Sequence, residues 1–239
     1  MKTQVLKHLL FVVLFSLITV VSVANTVKDN GKRVQKEFKV DKFDVIHAGG
    51  VYHIKYTKAD KYKVVVTFAE NLMDRLIIEA QDGTLSLSNK SFTVCSELLV
   101  EIQSPHLRAL ELNGAASFEA DQSTYIREDE VEFELNGSSK AECAIRAEKL
   151  SIDLNGASQA DIKTSVVKAY IETNGAASLD ITGGAKFVEI NSNGASRVRG
   201  KNFKTIEADL EVNGAAGIRL KRPDKVNMEE RGAGDIDLY

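Results

Sequence analysis

The dipeptide Asn-Gly recurs six times in the second half of the chain, at nearly constant intervals. The pairs are Asn113-Gly114, Asn136-Gly137, Asn155-Gly156, Asn174-Gly175, Asn193-Gly194 and Asn213-Gly214. The successive steps are 23, 19, 19, 19 and 20 residues. A period this regular is typical of a solenoid, in which each repeat stacks on its neighbours. We therefore expect parallel stacked coils of about 19 residues rather than six independent hairpins.

Aligning the coils on the asparagine shows the same hydrophobic alternation in every repeat. Large apolar residues stand three positions before it: Leu110, Phe133, Ile152, Ile171, Ile190 and Leu210. Mostly apolar residues stand one position before it: Leu112, Leu135, Leu154, Thr173, Ser192 and Val212. The alternation resumes at the fifth and seventh positions after the asparagine, where Cys143 takes an inward place. Each coil is therefore predicted to contain two half-buried strands joined by an Asn-Gly corner.

The corner asparagines are interpreted as structural residues. A sharp bend needs positive φ, which glycine adopts freely and asparagine tolerates better than other residues. Stacked asparagine side chains can also hydrogen-bond to one another along the axis. A ligand-binding role for this column remains an alternative. The predicted structural corners are Asn113, Asn136, Asn155, Asn174, Asn193 and Asn213.

The segment before the repeats is rich in β-strand patterns but shows no clear register with the coils. Predicted strands cover residues 43–46, 51–56, 62–68, 76–80, 84–88 and 98–102. Asp82-Gly83 is a predicted hairpin turn, residues 71–75 a helical turn, and residues 47–51 a degenerate corner. We expect residues 25–239 to form a single domain, in which the irregular part 25–106 continues or caps the regular coils of 107–239.

Both ends of the chain carry interpretable signals. A basic start, an apolar run and small residues at 22–24 predict a cleaved signal peptide over residues 1–24, with a membrane anchor as the alternative. No later apolar run is long enough to span a membrane. In the last coil, Val226, Met228, Ile236 and Leu238 are expected to point inward, while charged residues protect the exposed edge.

Composition limits the partners and the cysteine chemistry. The net charge of −3 shows no nucleic-acid footprint. An exported chain with two cysteines suggests a disulfide. If Cys95 belongs to the same ladder, however, it lies two coils from Cys143, roughly 9 to 10 Å away and beyond the reach of a bridge. Two free, buried thiols are therefore expected.

Several elements together resemble a known family. They are the exported N terminus, the repeated corner, Asp82-Gly83-Thr84-Leu85, Ser104-Pro105-His106-Leu107 before the first Asn-Gly, and the closing Gly232-Ala233-Gly234-Asp235-Ile236. Their order is similar to that of the putative autotransporter adhesin head domain family (GIN domain, DUF2807), found mainly in Bacteroidetes. The resemblance covers residues 38–239. It implies an all-β, right-handed parallel β-helix at the cell surface or in the periplasm, without established catalytic residues.

An acidic column is the chemically most suggestive feature. Two positions before the asparagine stand Glu111, Glu134, Asp153, Glu172 and Glu211. Like charges one layer apart repel, so this outward strip is either a solvated face or a binding strip for Ca²⁺ or a cationic partner. A basic end, suited to anionic glycan or lipopolysaccharide, contains Arg197, Arg199, Lys201, Lys204, Arg219, Lys221 and Arg222.

These features favour an exported, non-enzymatic, adhesin-like module that binds glycan or protein at the cell surface or in the periplasm. No nucleophile elbow, phosphate loop or metal-ligand spacing stands out, and His47 and His53 are expected to be satisfied or solvent-facing. No cofactor is expected other than the Ca²⁺ hypothesis. The alternatives are a polysaccharide-active β-helix enzyme, for which the short coils leave little room for cleft-forming loops, and a purely structural spacer.

Overall fold

A computed structural model describes residues 27–90 and 98–239, and it is a β-solenoid of about seven turns whose coils lie about 19 residues apart. The all-β parallel fold expected from the repeat is confirmed. The predicted signal peptide, residues 1–24, and Cys95 lie outside the described residues.

The N-terminal part contains seven strands and one short 3₁₀ helix at Glu70–Arg75. The strands are β1 (Arg33–Phe38), β2 (Phe43–Gly50), β3 (His53–Lys58), β4 (Lys63–Ala69), β5 (Leu76–Gln81), β6 (Gly83–Asn89) and β7 (Leu99–Ser104). All six strands predicted in this region are present, as is the helical turn. The Asp82-Gly83 hairpin is also confirmed, since Gln81 pairs with Thr84 in the antiparallel β5–β6 ladder.

The repeat region contains the remaining twelve strands. They are β8 (Ala109–Gly114), β9 (Ser117–Ala120), β10 (Ile126–Arg127), β11 (Glu130–Leu135), β12 (Lys140–Leu154), β13 (Gln159–Thr173), β14 (Ser178–Gly194), β15 (Arg197–Gly200), β16 (Phe203–Gly214), β17 (Gly217–Leu220), β18 (Lys225–Gly232) and β19 (Asp235–Leu238). Successive coils pair in parallel, residue on equivalent residue, from β8 and β9 to β18 and β19. Long strands such as β12 run from one Asn-Gly corner to the next and so belong to two faces of the solenoid.

The expectation that the N-terminal segment is out of register is wrong for β2 and β3. These strands form a complete coil, in which Gly49 and Gly50 pair with Asn113 and Gly114. On its other side the same coil pairs in parallel with β6 and β7. In the stack, the coil of β6 and β7 therefore comes first, the coil of β2 and β3 second, and the coil of β8 and β9 third. The chain forms β2 and β3, continues on one side of them to β6 and β7, and then crosses to their other side to form β8.

Antiparallel strands cover the N-terminal end of the stack. Strand β5 pairs with β6 on one face, whereas β4 pairs with β7 and β1 pairs with β4 on the other. An exposed parallel edge would offer unpaired backbone groups to another chain. The irregular segment therefore does cap the solenoid, and it also supplies two of its coils.

The core follows the inward columns that the sequence predicts. The apolar residues one and three positions before each corner asparagine are all at most 3% exposed. Cys143 is buried and free, and burial raises the pKa of its thiol far above the usual value. In two neighbouring coils the residue directly before the corner asparagine is polar, and these two side chains pair with one another: Thr173 Oγ1 lies 2.9 Å from Ser192 Oγ, and both contact Ser196.

The glycine at each corner is required by geometry. Gly156, for example, has φ +78°, and a Cβ placed on it would lie 2.9 Å from the carbonyl oxygen of Gly137 in the preceding coil. The asparagines do not share this conformation, because the only described non-glycine residue with positive φ is Asp82. The expected backbone reason for asparagine is therefore wrong, and its role depends on its side chain.

The last coil is less covered than expected. Met228, predicted to point inward, is 53% exposed, while Val226, Ile236 and Leu238 are partly buried against the core. Within the described residues no further coil covers this end of the stack, so one side of β18 and β19 remains open.

Candidate binding faces of the solenoid

The corner asparagines form a continuous hydrogen-bonded ladder parallel to the solenoid axis. Each Nδ2 donates to the Oδ1 of the preceding asparagine over 2.9 to 3.0 Å, from Asn136 on Asn113 to Asn213 on Asn193. An amide side chain can donate a hydrogen bond on one side and accept one on the other. An apolar side chain can do neither, and a carboxylate can only accept. The ladder fixes the register of the coils at this corner.

The ladder also holds the acidic column in place. The second hydrogen of the amide reaches the carboxylate two residues earlier in four coils, with Nδ2 to Oε1 distances of 2.7 to 3.0 Å. The four carboxylates are those of Glu111, Glu134, Glu172 and Glu211. Both residues of such a pair point outward from the same strand, since side chains two apart share a face. The strip is therefore an ordered row of anchored carboxylates.

Asp153 is the exception in this column. Its shorter side chain makes no such bond, and it lies between Glu134 and Glu172 in the parallel register. Desolvation raises the pKa of the Asp153 carboxyl, and the negative charges of Glu172, Glu134 and Glu132 raise it further. At Asp153, in the middle of the strip, a further negative charge is therefore most unfavourable and a cation is most favourable.

Each end of the ladder meets a different side chain. His47 Nε2 lies 3.3 Å from Asn113 Nδ2 and 3.4 Å from Glu111 Oε1, reaching across Gly49, which has no side chain to continue the ladder. Arg231, which replaces asparagine in the last coil, pairs with Glu211 at 2.7 Å and with Glu229. Within residues 27–90 and 98–239, no three histidine, cysteine or acidic side chains converge as a metal ion would require. The Ca²⁺ hypothesis stays a prediction.

The face that follows the corner contains a half-open groove of about 280 Å³. Its floor includes Phe118, Ala141 and Ala160, which are buried. Two rows of polar side chains flank it along the solenoid axis. One row is Ser117, Lys140, Gln159 and Ser178, and the other is Glu119, Glu142, Asp161 and Asp180. This second acidic row follows from the same outward alternation as the predicted one.

One end of the groove brings together the residue types of a hydrolase triad. His53 Nδ1 lies 2.8 Å from Ser117 Oγ, and His53 Nε2 lies 3.8 Å from Glu119 Oε2. Acyl transfer also needs N–H donors directed at the developing oxyanion. The N–H of Ser117 donates instead to the carbonyl of Tyr52 at 2.7 Å. Because β3 and β9 pair His53 with Ser117, this contact is an ordinary cross-strand hydrogen bond.

The predicted basic end is partly neutralised. Arg199 makes a two-point ion pair with Asp180, with N to O distances of 2.7 and 2.6 Å, and Arg219 lies 3.2 Å from Asp237. Lys201 lies over the ring of Tyr239. The described parts of the chain contain no helix with the length and apolar character needed to cross a bilayer.

Comparison with known proteins gives one family match. A family model described as "Putative auto-transporter adhesin, head GIN domain" (DUF2807) matches residues 42–239. No curated protein matches the chain.

Three solved structures with the same fold come from species of Parabacteroides. A putative adhesin from Parabacteroides distasonis is 22% identical, with a TM-score of 0.79 over 90% of this chain and 100% of that one. A putative adhesin from Parabacteroides merdae is 20% identical, with a TM-score of 0.78 over 90% and 99%. A putative lipid binding protein from Parabacteroides distasonis is 19% identical, with a TM-score of 0.77 over 90% and 99%. At these identities the likeness extends to the fold alone.

Proposed function

Because the chain belongs to the "putative auto-transporter adhesin, head GIN domain" family, we propose that it is an exported, non-enzymatic binding module of the adhesin type. Its ligand is a surface glycan, bound in the groove on the face after the corner. The observation that carries the proposal is the pair of polar rows along that groove, which repeat one side chain per coil.

The chemistry of the groove suits sugar hydroxyl groups. Carboxylates in one row accept hydrogen bonds, while Lys140 and Gln159 in the other row can donate them. The rows repeat at about 4.8 Å, the spacing of neighbouring strands, so an extended polysaccharide along the axis meets equivalent groups in successive coils. The walls belong to rigid strands, which lowers the entropic cost of binding.

The acidic column is the second candidate surface, for a basic protein segment. The raised pKa of Asp153 supports it, because a cationic group placed there relieves the repulsion among Glu134, Asp153 and Glu172. The anchored carboxylates also need little reordering on binding. This candidate is weaker for a neutral glycan, since the charged groups of the strip favour a cationic ligand.

A glycan array with purified residues 25–239, with and without Ca²⁺, tests the proposal. The groove variant combines Lys140→Ala with Gln159→Ala, and the matched variant on the other face combines Glu134→Gln with Glu172→Gln. We expect the wild-type protein to bind a glycan. The affinity of the groove variant should be at least tenfold lower, and the matched variant should retain the wild-type affinity. Loss only in the matched variant assigns binding to the acidic column.

Two results would overturn the proposal altogether. Binding to no glycan and to no Lys-rich peptide favours the spacer interpretation. Shortening of a bound glycan, detected by mass spectrometry, establishes the polysaccharide-active enzyme instead.

A further inference from the structure

Tyr125 lies beside a short strand that joins the stack within the insertion between β9 and β11. Strand β10 pairs in parallel with β12, placing Ile126 opposite Ile145 and Arg127 opposite Arg146. Tyr125 therefore lies opposite Ala144, which pairs in turn with Lys163 in the next coil. Ala144 is fully buried. Its small side chain leaves room for a ring to lie across it towards Lys163.

Three cationic side chains surround the Tyr125 ring. The guanidinium carbons of Arg146 and Arg127 lie 4.9 and 5.9 Å from the ring centroid, and Lys163 Nζ lies 5.5 Å from it. Any two of these charged groups are therefore at most about 11 Å apart. This separation is close to the ~8 to 10 Å over which salt screens the interaction between charges. All three residues are exposed. The ring attracts each cation through its face, so it gathers charges that otherwise repel one another.

No carboxylate of the described residues forms an ion pair with any of the three cations. Nearby Glu128 is held by Lys58 and His106, and Glu142 accepts from Gln122. Glu128, Asp129 and Glu148 all line the adjoining depression, but none of them lies within the 4.0 Å of an ion pair with the three cations. The three cations therefore have no ion-pair partner among the described residues, in a chain whose net charge is −3.

The depression beside Arg127 and Arg146 is wide and open, with a volume of about 540 Å³. Ser165 and the edge of Val166 line its floor. Its volume is sufficient for a tetrahedral oxoanion on the side of the two arginines, together with the group that carries it. Arginine suits such a ligand because its planar fork donates two parallel hydrogen bonds to neighbouring oxygens.

We propose that Arg127, Arg146 and Lys163, gathered around the Tyr125 ring, form a binding site for a phosphate monoester. The arginines and the lysine bind the phosphate oxygens, and Tyr125 holds the cations in position before the ligand arrives. The phosphate is carried either by a soluble sugar phosphate or by the headgroup of a lipid. The site lies beyond the proposed glycan groove and does not depend on it.

Titration calorimetry of residues 25–239 with glucose 6-phosphate, and co-sedimentation with vesicles of phosphatidylcholine containing phosphatidic acid, distinguish the two sources. Binding to the sugar phosphate assigns the soluble source, and binding only to phosphatidic acid vesicles assigns the lipid source. We expect Arg146→Gln and Lys163→Gln each to weaken binding at least tenfold. Tyr125→Leu, which removes the ring that gathers the cations, weakens it further than Tyr125→Phe.

Lys186→Gln is the matched control, because Lys186 is an exposed lysine two coils away from Arg146 in the stack. It should leave affinity unchanged, and the thermal melting of the Arg146, Lys163 and Lys186 variants should match wild type because these three side chains are exposed. An equal loss in Arg146→Gln and Lys186→Gln indicates unspecific charge attraction and overturns the site. Absence of binding to both probes at low salt overturns it as well.

Discussion

The side-chain amide of Asn155 donates to Oδ1 of Asn136 over 3.0 Å, and its own Oδ1 accepts from Asn174 over 2.9 Å. One side chain thereby joins three coils. In the interior of the ladder no other residue type of this size offers a donor and an acceptor in the same plane. The hydrogen bonding of each interior asparagine therefore depends on the asparagines of both neighbouring coils.

Substitution in the middle of the ladder should therefore cost more than one hydrogen bond. We expect Asn155→Ala to lower the free energy of unfolding by about 1 to 3 kcal/mol, because it leaves two half-buried partners unmatched. Asn155→Asp should be at least as destabilising, since a carboxylate cannot donate to Asn136 and adds charge beside Asp153. Urea titration followed by circular dichroism measures both. An Asn155→Asp variant more stable than Asn155→Ala would contradict the donor role.

The ladder can be extended by one rung at its N-terminal end. Gly49 pairs with Asn113, has no positive φ, and has nothing within 4 Å of the position of a Cβ. We expect Gly49→Asn to raise the free energy of unfolding by about 1 kcal/mol, through one added hydrogen bond to Asn113. Gly49→Ala is the control for backbone entropy alone. Equal melting temperatures for the two variants would show that no rung forms.

The corner glycines combine two constraints that substitution can separate. Gly156 and Gly31 have nearly the same φ, +78° and +77°, but only Gly156 has a backbone oxygen 2.9 Å from the position of a Cβ. Gly31→Ala should cost about 1 to 2 kcal/mol for the left-handed conformation alone. Gly156→Ala should cost more, because the coils must also move apart. The difference between their urea midpoints measures the contact between coils.

Asp153 should make stability depend on pH in the acidic range. Its pKa in the folded state is raised above the ordinary value of 3.8, so between these two pKa values the folded state binds more protons than the unfolded state. Stability then falls as pH rises through this window, and the cost persists at neutral pH. Asp153→Asn should therefore be more stable than wild type at pH 7, by less than about 1 kcal/mol because the half-exposed carboxyl is screened.

Thermal melting of both proteins from pH 3 to pH 8 measures this difference. The advantage of Asp153→Asn should disappear below the ordinary pKa of an aspartate, where both states are protonated. An advantage that is independent of pH would assign the effect to packing instead.

Cys143 should be chemically inert while the protein is folded. Its thiol is fully buried, and burial raises its pKa, which suppresses the reactive thiolate. In a Cys95→Ser background, we expect Ellman's reagent to react with Cys143 only at the rate of unfolding, and rapidly in denaturant. Fast labelling of the folded protein would contradict this burial.

The repeat alone predicts the coils, both inward columns and the axial asparagine bonds. It does so because stacking places identical positions in contact, so that one coil describes its neighbours. The pairing of Glu134 with Asn136 was also readable, since residues two apart on a strand share a face. The column is interpreted from the sequence as a solvated face or a cation-binding strip, and neither interpretation includes this hydrogen bond.

Other features had no local signal. The position of β2 and β3 between β6–β7 and β8–β9 depends on pairing over many residues, and periodicity does not specify the order in which coils stack. The proposed site at Tyr125 could not be predicted from the repeat, because the insertion between residues 122 and 130 interrupts the alignment of that coil with the others. Met228 was expected to be buried because its column is inward in the other coils, but the last coil has no neighbour beyond it.

The strands β12, β13 and β14 pair only with strands of the coils directly before and after them, whereas the antiparallel cap and the His47 and Arg231 contacts lie at the two ends. A gene duplication that added one 19-residue unit among them would preserve the antiparallel cap, the His47 contact and the Arg231 contact. Such an insertion would therefore change only the number of middle coils, and the solenoid would lengthen by about 4.8 Å with each unit gained.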